Sequence, residues 1–330
     1  MTDGNRKEIQ CGTVVDPFQP TFDKLRAQEL ICLGREARML YREGVALRRE
    51  RDQKDTTIEE RLSNQIPFNK DTLSDKNEKL PAPFENNRYR IIAPLVFTQI
   101  VLRFIGQRLV FGFIAEPMDP ERKDKELFIV YRGSQTPWDW ISNFRIFQTK
   151  RPLFGASGVP GEVHSGFNAQ FTRADEKRGK PSILQILKDT LTPELVNGRS
   201  IYISGHSLGG ALATLTAAYV KQLHSEADVH LYSNASPRVG DVKFAQHFTK
   251  RQIKAFRLFN SVDLVPTLPP RFESPFEAAQ YVHIGVDIPF ESNTNKLEFN
   301  HTLPIYAGAV GLSYNDFNYL KGKDLPFECK

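Results

Sequence analysis

The chain has 330 residues, of which 40% are hydrophobic and 25% are charged, so it is long enough to bury a substantial core. Its 44 basic and 39 acidic residues leave a net charge of +5, a mild excess that argues against nucleic acid as a partner. Three cysteines without a short pair spacing, Cys11, Cys32 and Cys329, suggest neither a disulfide framework nor a zinc site. Because the first ten residues also lack the apolar core of a secretory signal, the sequence predicts a cytoplasmic protein, the alternative being a secreted one whose signal has been removed.

The first part of the chain differs from the rest in its pattern of apolar and charged residues. Residues 21–65 place apolar side chains at steps of three to five between charges, which predicts one or two amphipathic helices packed on the main body. The apolar positions are Leu25, Leu30, Leu33, Ala37, Leu40 and Tyr41. Residues 64–87 are polar and contain prolines, as is typical of a mobile connector. We therefore predict an N-terminal helical extension with its connector over 1–87 and a main domain over 88–330.

In the main domain, short runs rich in Val, Ile, Phe and Tyr alternate with helix-sized stretches, which predicts an α/β fold with a mostly parallel central sheet flanked by helices. The predicted strands are 89–94, 101–104, 109–115, 127–131, 201–204, 229–233, 255–260 and 281–286. The predicted helices are 167–174, 182–188, 208–223 and 242–250. Residues 200–220 lack Asp, Glu, Lys and Arg for a length that could span a membrane, but the glycines in the middle favour a buried strand, turn and helix.

The segment SGHSLGGALA, residues 204–213, places Ser207 between two glycines where a strand passes into a small-residue helix. Glycines suit such a turn because the backbone angles are strained and the helix approaches the strand too closely for a Cβ atom. The turn would expose the hydroxyl at the positive end of the helix, with the Leu208 N–H available to an oxyanion. Ser207 is therefore a candidate nucleophile.

A nucleophilic serine needs a base and an acid, which in such sheets follow it in the order acid, then histidine. Asp263 directly follows the strand AFRLFN, whereas the competing Asp241 opens a helix and suits an N-cap. Two histidines lie beyond the acid. We favour His301, in the turn-like NHTLP, over His283, whose place in the apolar run YVHIGV suggests a structural role.

A second oxyanion donor should come from a loop after an early central strand. LFIVYRGS supplies one, because Gly133 and Ser134 turn the chain after a predicted strand and offer the Ser134 N–H. The Ser134 hydroxyl could instead cap a helix formed by TPWDWISNF.

Six segments in this order resemble the fungal-type, or class 3, lipases, a branch of the α/β-hydrolases. They are YRGS with a following DW, VHSGF, GHSLGGALA, ASPRVGD, FNSVDLVPTLPP and a late histidine, and the resemblance covers roughly residues 90–310. The resemblance implies an α/β-hydrolase fold with Ser207 as nucleophile, Asp263 as acid, His301 as base and the Ser134 and Leu208 N–H groups as the oxyanion hole. It also implies that His164 and His283 are structural.

The resemblance implies hydrolysis of lipid acyl esters through an acyl-enzyme, with no metal or organic cofactor. We expect a triacylglycerol lipase-like enzyme. The alternatives are a phospholipase A1 or galactolipase, a short-chain carboxylesterase, and a catalytically silent lipid-binding protein on the same fold. Residues 144–161 combine apolar and basic side chains, so they suit either a lid that opens during transient contact with a membrane or lipid droplet, or a packed loop.

Overall fold

A computed structural model describes residues 20–49, 67–68, 84, 87–102, 105–134, 150–153, 158–176, 179–271, 281–294, 296–313 and 317. Among the helices in these ranges, none is long and apolar enough to cross a membrane. The uncharged stretch 200–220 divides instead into a strand, a tight turn and the first part of a helix, as predicted.

Eight strands form one mixed sheet in the order β1-β2-β3-β4-β7-β8-β9-β10. The strands are β1 (Pro67–Phe68), β2 (Tyr89–Leu102), β3 (Ile105–Pro117), β4 (Glu126–Tyr131), β7 (Ser200–His206), β8 (Asp228–Asn234), β9 (Lys254–Asn260) and β10 (Val286–Phe290), while β5 (Lys150–Pro152) and β6 (Glu162–His164) form a separate pair. The first three pairings, from β1 to β4, are antiparallel, and the four from β4 to β10 are parallel. The mostly parallel sheet is confirmed, with an antiparallel edge.

Nine α-helices flank the sheet in the described ranges. They are α1 (Lys24–Arg49), α2 (Pro120–Lys123), α3 (Ser165–Thr172), α4 (Ile183–Thr190), α5 (Pro193–Val196), α6 (Leu208–Leu223), α7 (Val242–Lys250), α8 (Leu297–Asn300) and α9 (Leu303–Ala309). The four helices predicted in the main domain correspond to α3, α4, α6 and α7.

Alternate side chains of a strand point to opposite faces of the sheet, and in the central strands both sets are buried. In β4, Leu127 and Ile129 join one core with α3, α4, α6 and α7, whereas Phe128 and Val130 join a second core with α1 and α9. The sheet is therefore the middle of three layers. The carboxyl ends of its parallel strands meet at one edge, where the loops after β4, β7 and β9 lie side by side.

The N-terminal helix α1 packs on the sheet, as its apolar spacing predicts. Leu30, Leu33 and Ala37 are buried in the second core, although Leu25 is 62% exposed and does not belong to the buried face. The helix is also held by charge, because Arg26 and Arg122 both pair with Glu29 and Glu126. The helix of the extension therefore shares a core with the main sheet.

Three strand predictions are wrong in detail. Residues 89–94 and 101–102 belong to one long strand, because β2 pairs continuously with β3 through register shifts that absorb its irregular pattern; residues 103 and 104 lie outside the described ranges. Residues 281–285 form only an isolated bridge, and the last strand begins at Val286, where pairing with Phe256 of β9 begins. The connector contributes β1, which pairs with Tyr89 and Arg90, so it is not wholly irregular; its other residues, apart from Phe84 and Asn87, lie outside the described ranges.

Candidate active site

The turn between β7 and α6 holds Ser207 in a strained conformation. Its φ of 59° and ψ of −126° lie in a region that glycine occupies freely and other residues avoid, at a cost of about 1–3 kcal/mol. The turn is tight, since a Cβ on Gly205 would lie 2.1 Å from the carbonyl oxygen of Gly209. Both glycines are therefore required by close approach, as the sequence predicts.

Ser207, His301 and Asp263 form a continuous hydrogen-bonded chain. The Ser207 Oγ lies 2.7 Å from His301 Nε2, and His301 Nδ1 lies 2.7 Å from Asp263 Oδ2. Because a carboxylate only accepts hydrogen bonds, Nδ1 carries the proton and Nε2 is left to accept the serine proton. All three residues are at most 2% exposed. The structure thus brings together the three side chains that the sequence singles out.

Asp263 is fixed by two donors besides His301. Its Oδ1 accepts the Val265 N–H at 2.9 Å, and its Oδ2 accepts the Tyr306 hydroxyl at 2.7 Å. Tyr306 is fully buried on α9, and its hydroxyl also accepts the Asn260 N–H at 3.2 Å. Burial and the neighbouring Asp263 charge raise the pKa of Tyr306 well above its usual value, so the phenol remains a donor.

The loop that carries His301 is tied to the end of β9. The Asn260 side-chain amide donates to the carbonyl oxygens of Asn300 and Ser292 at 3.2 and 2.8 Å. Asn300 in turn accepts the Thr294 N–H at 2.8 Å. The roles of Tyr306, Asn260 and Asn300 are not predicted by the sequence, because the side chains that they join are distant in the chain; the one local signal is the position of Asn260 directly before the acid loop.

The two alternatives to the acid and base lie elsewhere. Asp241 caps α7 by accepting the Phe244 N–H at 2.8 Å, as its N-cap interpretation predicts. His283 Nε2 lies 2.8 Å from the Pro266 carbonyl oxygen, and burial lowers its pKa to about 2, helped by nearby arginines. His164 caps α3 by accepting the Gly166 N–H, and burial lowers its pKa to about 4.

The turn after β4 lies against the serine turn. A Cβ on Gly133 would lie 3.5 Å from Ser207 Cβ and 2.7 Å from Nδ1 of His206, so the two turns touch. Ser134 is half-buried beside this contact, and Leu208 begins α6, where its N–H has no partner within the helix. The structure therefore places both predicted oxyanion donors on adjoining turns. The segment TPWDWISNF, whose helix the Ser134 hydroxyl would cap in the alternative interpretation, lies outside the described residues.

His206, next to the serine, lies between His301 and Tyr306. Its ring centroid is 4.9 Å from that of His301 and 5.5 Å from that of Tyr306. Burial, reinforced by the charges of His301 and Arg38, holds the pKa of His206 well below its usual value. A neutral ring packs here without opposing an imidazolium at His301.

Only part of the segment 144–161 falls in the described ranges. Residues 150–152 form β5, and Leu153 and Val159 are buried in the first core. The described part is therefore a short strand and packed apolar side chains. The residues 144–149 and 154–157, on which the lid interpretation also depends, lie outside the described ranges.

Part of the chain is similar to known lipases. Residues 128–273 match the model of the lipase (class 3) family. Among curated relatives, a secreted mono- and diacylglycerol lipase of Fusarium solani is 34% identical over 44% of this chain and 40% of its own length. A phospholipase A1, EG1, of Oryza sativa subsp. indica is 27% identical over 56% of this chain and 48% of its own length. The chain thus matches less than half the length of these two relatives.

Among solved structures, the M37 lipase is 19% identical, with a TM-score of 0.50 over 72% of this chain and 84% of that one. This likeness supports the fold. The family match covers residues 128–273, which include Ser207 and Asp263, so this part of the chain is similar to the class 3 lipases, and the likeness to the M37 lipase supports an α/β-hydrolase fold.

Proposed function

We propose that this protein is a serine ester hydrolase that cleaves lipid acyl esters. The single observation that carries the proposal is the buried relay from Ser207 Oγ through His301 to Asp263, with both links at 2.7 Å. In this geometry the histidine accepts the serine proton while the carboxylate orients the ring and stabilises its positive charge.

The reaction proceeds in two half-reactions. Ser207 Oγ attacks the ester carbonyl as its proton passes to His301, and the Ser134 and Leu208 N–H groups bind the resulting oxyanion. The imidazolium then protonates the leaving alcohol, which leaves an acyl-serine. A water molecule, deprotonated by His301, attacks the acyl group, and return of the proton to Ser207 releases the acid.

The proposed substrate is a glycerolipid acyl ester of the triacylglycerol type. The names of the relatives support a glycerolipid ester in general, because one is a mono- and diacylglycerol lipase and another, which represents the principal alternative, is a phospholipase A1. Leu264 and Leu297, 43% and 54% exposed, lie on the segments that carry Asp263 and lead to His301. We propose that they contact a membrane or lipid droplet transiently, and that the enzyme acts in the cytoplasm, consistent with its few cysteines.

Ester hydrolysis is tested with p-nitrophenyl butyrate and a fluorophosphonate probe. We expect wild type to hydrolyse the ester and to be labelled, and Ser207→Ala to lose labelling and about 10⁶-fold in kcat. His301→Ala should lose activity far more than His283→Ala, which removes only a bond to a backbone carbonyl. Equal rates for wild type and Ser207→Ala would leave a lipid-binding role without catalysis.

The substrate class is tested by comparing rates on soluble short-chain esters, long-chain triacylglycerol emulsions and phospholipid or galactolipid vesicles. A preference for emulsions supports the proposed lipase. Faster hydrolysis of vesicles favours a phospholipase A1 or galactolipase, and activity confined to soluble esters favours a carboxylesterase.

A further inference from the structure

Arg132, in the turn after β4, is a buried guanidinium that the proposed mechanism does not use. It is 2% exposed, and its Nε and Nη1 donate to the carbonyl oxygens of Val110 and Gly133 at 2.9 and 2.8 Å. No carboxylate of a described residue lies within salt-bridge distance of it. A buried charge of this kind is costly, which makes its position informative.

Two aromatic rings enclose the guanidinium. Its central carbon lies 3.8 Å from the ring centroid of Tyr41 and 4.2 Å from that of Phe111. Stacking and cation–π attraction of this kind hold the planar group in one orientation. Burial lowers the pKa of Arg132 to about 9, with a contribution from the charge of Arg38, so the group stays protonated at neutral pH.

The hydrogen bond to Gly133 acts on the peptide unit that matters for the oxyanion. The carbonyl of Gly133 and the N–H of Ser134 belong to the same planar amide. A charged donor on the carbonyl oxygen draws electron density toward that oxygen and leaves the N–H a stronger donor. Arg132 therefore polarises the peptide that offers the Ser134 N–H.

The same turn is also fixed in position against the serine. A Cβ on Gly209 would lie 2.3 Å from the Arg132 carbonyl oxygen, and Gly133 approaches Ser207 closely. A change in the course of residues 132–134 would thus move the Ser134 N–H relative to the attacked carbonyl. Tyr41, on α1, lies outside the residues that match the family.

We propose that Arg132 is a positioning residue of the reaction, whose guanidinium fixes and polarises the Gly133–Ser134 peptide, and that Tyr41 of the N-terminal helix holds the guanidinium in place. This inference rests on the proposed ester hydrolysis. It makes α1 a support of the oxyanion site and not only a cover for the sheet.

The test compares Arg132→Gln and Arg132→Lys with Arg257→Gln. The last variant removes another buried guanidinium that stacks on a ring, 3.9 Å from the Phe259 centroid, but lies on β9 away from this turn. Measurements are kcat and KM on p-nitrophenyl butyrate, the Ki of a trifluoromethyl ketone, which binds serine as a tetrahedral oxyanion, and the Tm.

We expect Arg132→Gln to lower kcat about 10-fold, less than the 100- to 1000-fold typical of a lost oxyanion donor, with KM changed less than about 2-fold. The Ki should rise by the same factor as kcat falls. Arg132→Lys, which keeps the charge, should recover part of both losses. Arg257→Gln should lower the Tm with kcat and Ki retained.

Tyr41→Leu and Tyr41→Phe keep the inference testable if the Arg132 variants do not fold. Tyr41→Leu, which removes the ring, should lower kcat by less than Arg132→Gln does, with a matching rise in Ki. Tyr41→Phe, which keeps the ring, should behave as wild type. An unchanged kcat in folded Arg132→Gln or Tyr41→Leu, or a fall in kcat without a change in Ki, would overturn the inference and leave the proposed function intact. Wild type that neither hydrolyses esters nor reacts with fluorophosphonate would overturn both.

Discussion

Replacement of Tyr306 by phenylalanine should weaken both the stability and the activity of the protein. The change removes the hydroxyl that donates to Asp263 Oδ2 at 2.7 Å and accepts the Asn260 N–H at 3.2 Å, while the ring keeps its edge contact with Phe290. Asp263 would retain only the Val265 N–H and His301 as donors. The acid would then be less firmly oriented, and the His301 ring with it.

The expected magnitude follows from these two bonds. A hydrogen bond to a charged group contributes about 1.5–3 kcal/mol, and the buried Asn260 N–H left without its acceptor adds about 1 kcal/mol or more. We expect the free energy of unfolding to fall by about 2–4 kcal/mol, which corresponds to a Tm lower by roughly 3–6 °C. If about 1.4 kcal/mol of this is lost in the transition state, kcat falls about 10-fold.

The matched control is Tyr89→Phe, since Tyr89 is equally buried and also donates to a carboxylate, that of Glu29, far along the chain from the site. Both variants are measured by thermal unfolding and by kcat on p-nitrophenyl butyrate. Tyr89→Phe should lose stability and keep its activity. Equal kcat values for the two variants would refute an orienting role for Tyr306.

Three further outcomes are expected. Gly209→Ala places a methyl 2.3 Å from the Arg132 carbonyl oxygen, so the neighbouring backbone has to shift. Because a shift of about 1 Å at a reacting site lowers the rate roughly 100-fold, kcat should fall by about that factor. A near-normal kcat would contradict the close packing. Asp241→Ala should lower the free energy of unfolding by about 1 kcal/mol through loss of the N-cap, with activity within about 2-fold of wild type in the same ester assay. Burial lowers the pKa of His164 to about 4, so between this pH and about 6.5 the histidine binds more protons in the unfolded chain than in the folded one. The free energy of unfolding should therefore fall by about 3 kcal/mol as the pH drops from about 6.5 to 4. A plot of Tm against pH should be flatter for His164→Asn than for wild type.

The central strands could be predicted from the sequence because each is a buried run bounded by turn residues. β4, β7, β8 and β9 begin one residue before the predicted strands and end within two residues of them. The error at 281–286 has a physical reason. Tyr281 and Ile284 are buried, but they are three residues apart, so the apolar run does not bury one face of a strand, and strand pairing starts only at Val286.

The site could be predicted only where its signals are local. Ser207 and Asp263 follow strand ends in recognisable segments, and the order of acid and histidine along the chain narrowed the base to two residues. The contacts of Tyr306 and Asn260 depend on which loops adjoin across β9 and β10, which the strand order determines. Arg132 and Tyr41, 91 residues apart in the numbering, meet through the packing of α1 on the sheet.

The positive φ of Ser207 lowers the stability of the fold, although the same residue supplies the reactive hydroxyl. Glycine at 207 would adopt the same angles without the cost, so Ser207→Gly should unfold at a higher temperature than the parent while hydrolysing nothing. A library selected for thermal survival alone would therefore accumulate inert proteins, and any directed-evolution scheme for this chain has to screen for turnover in every round.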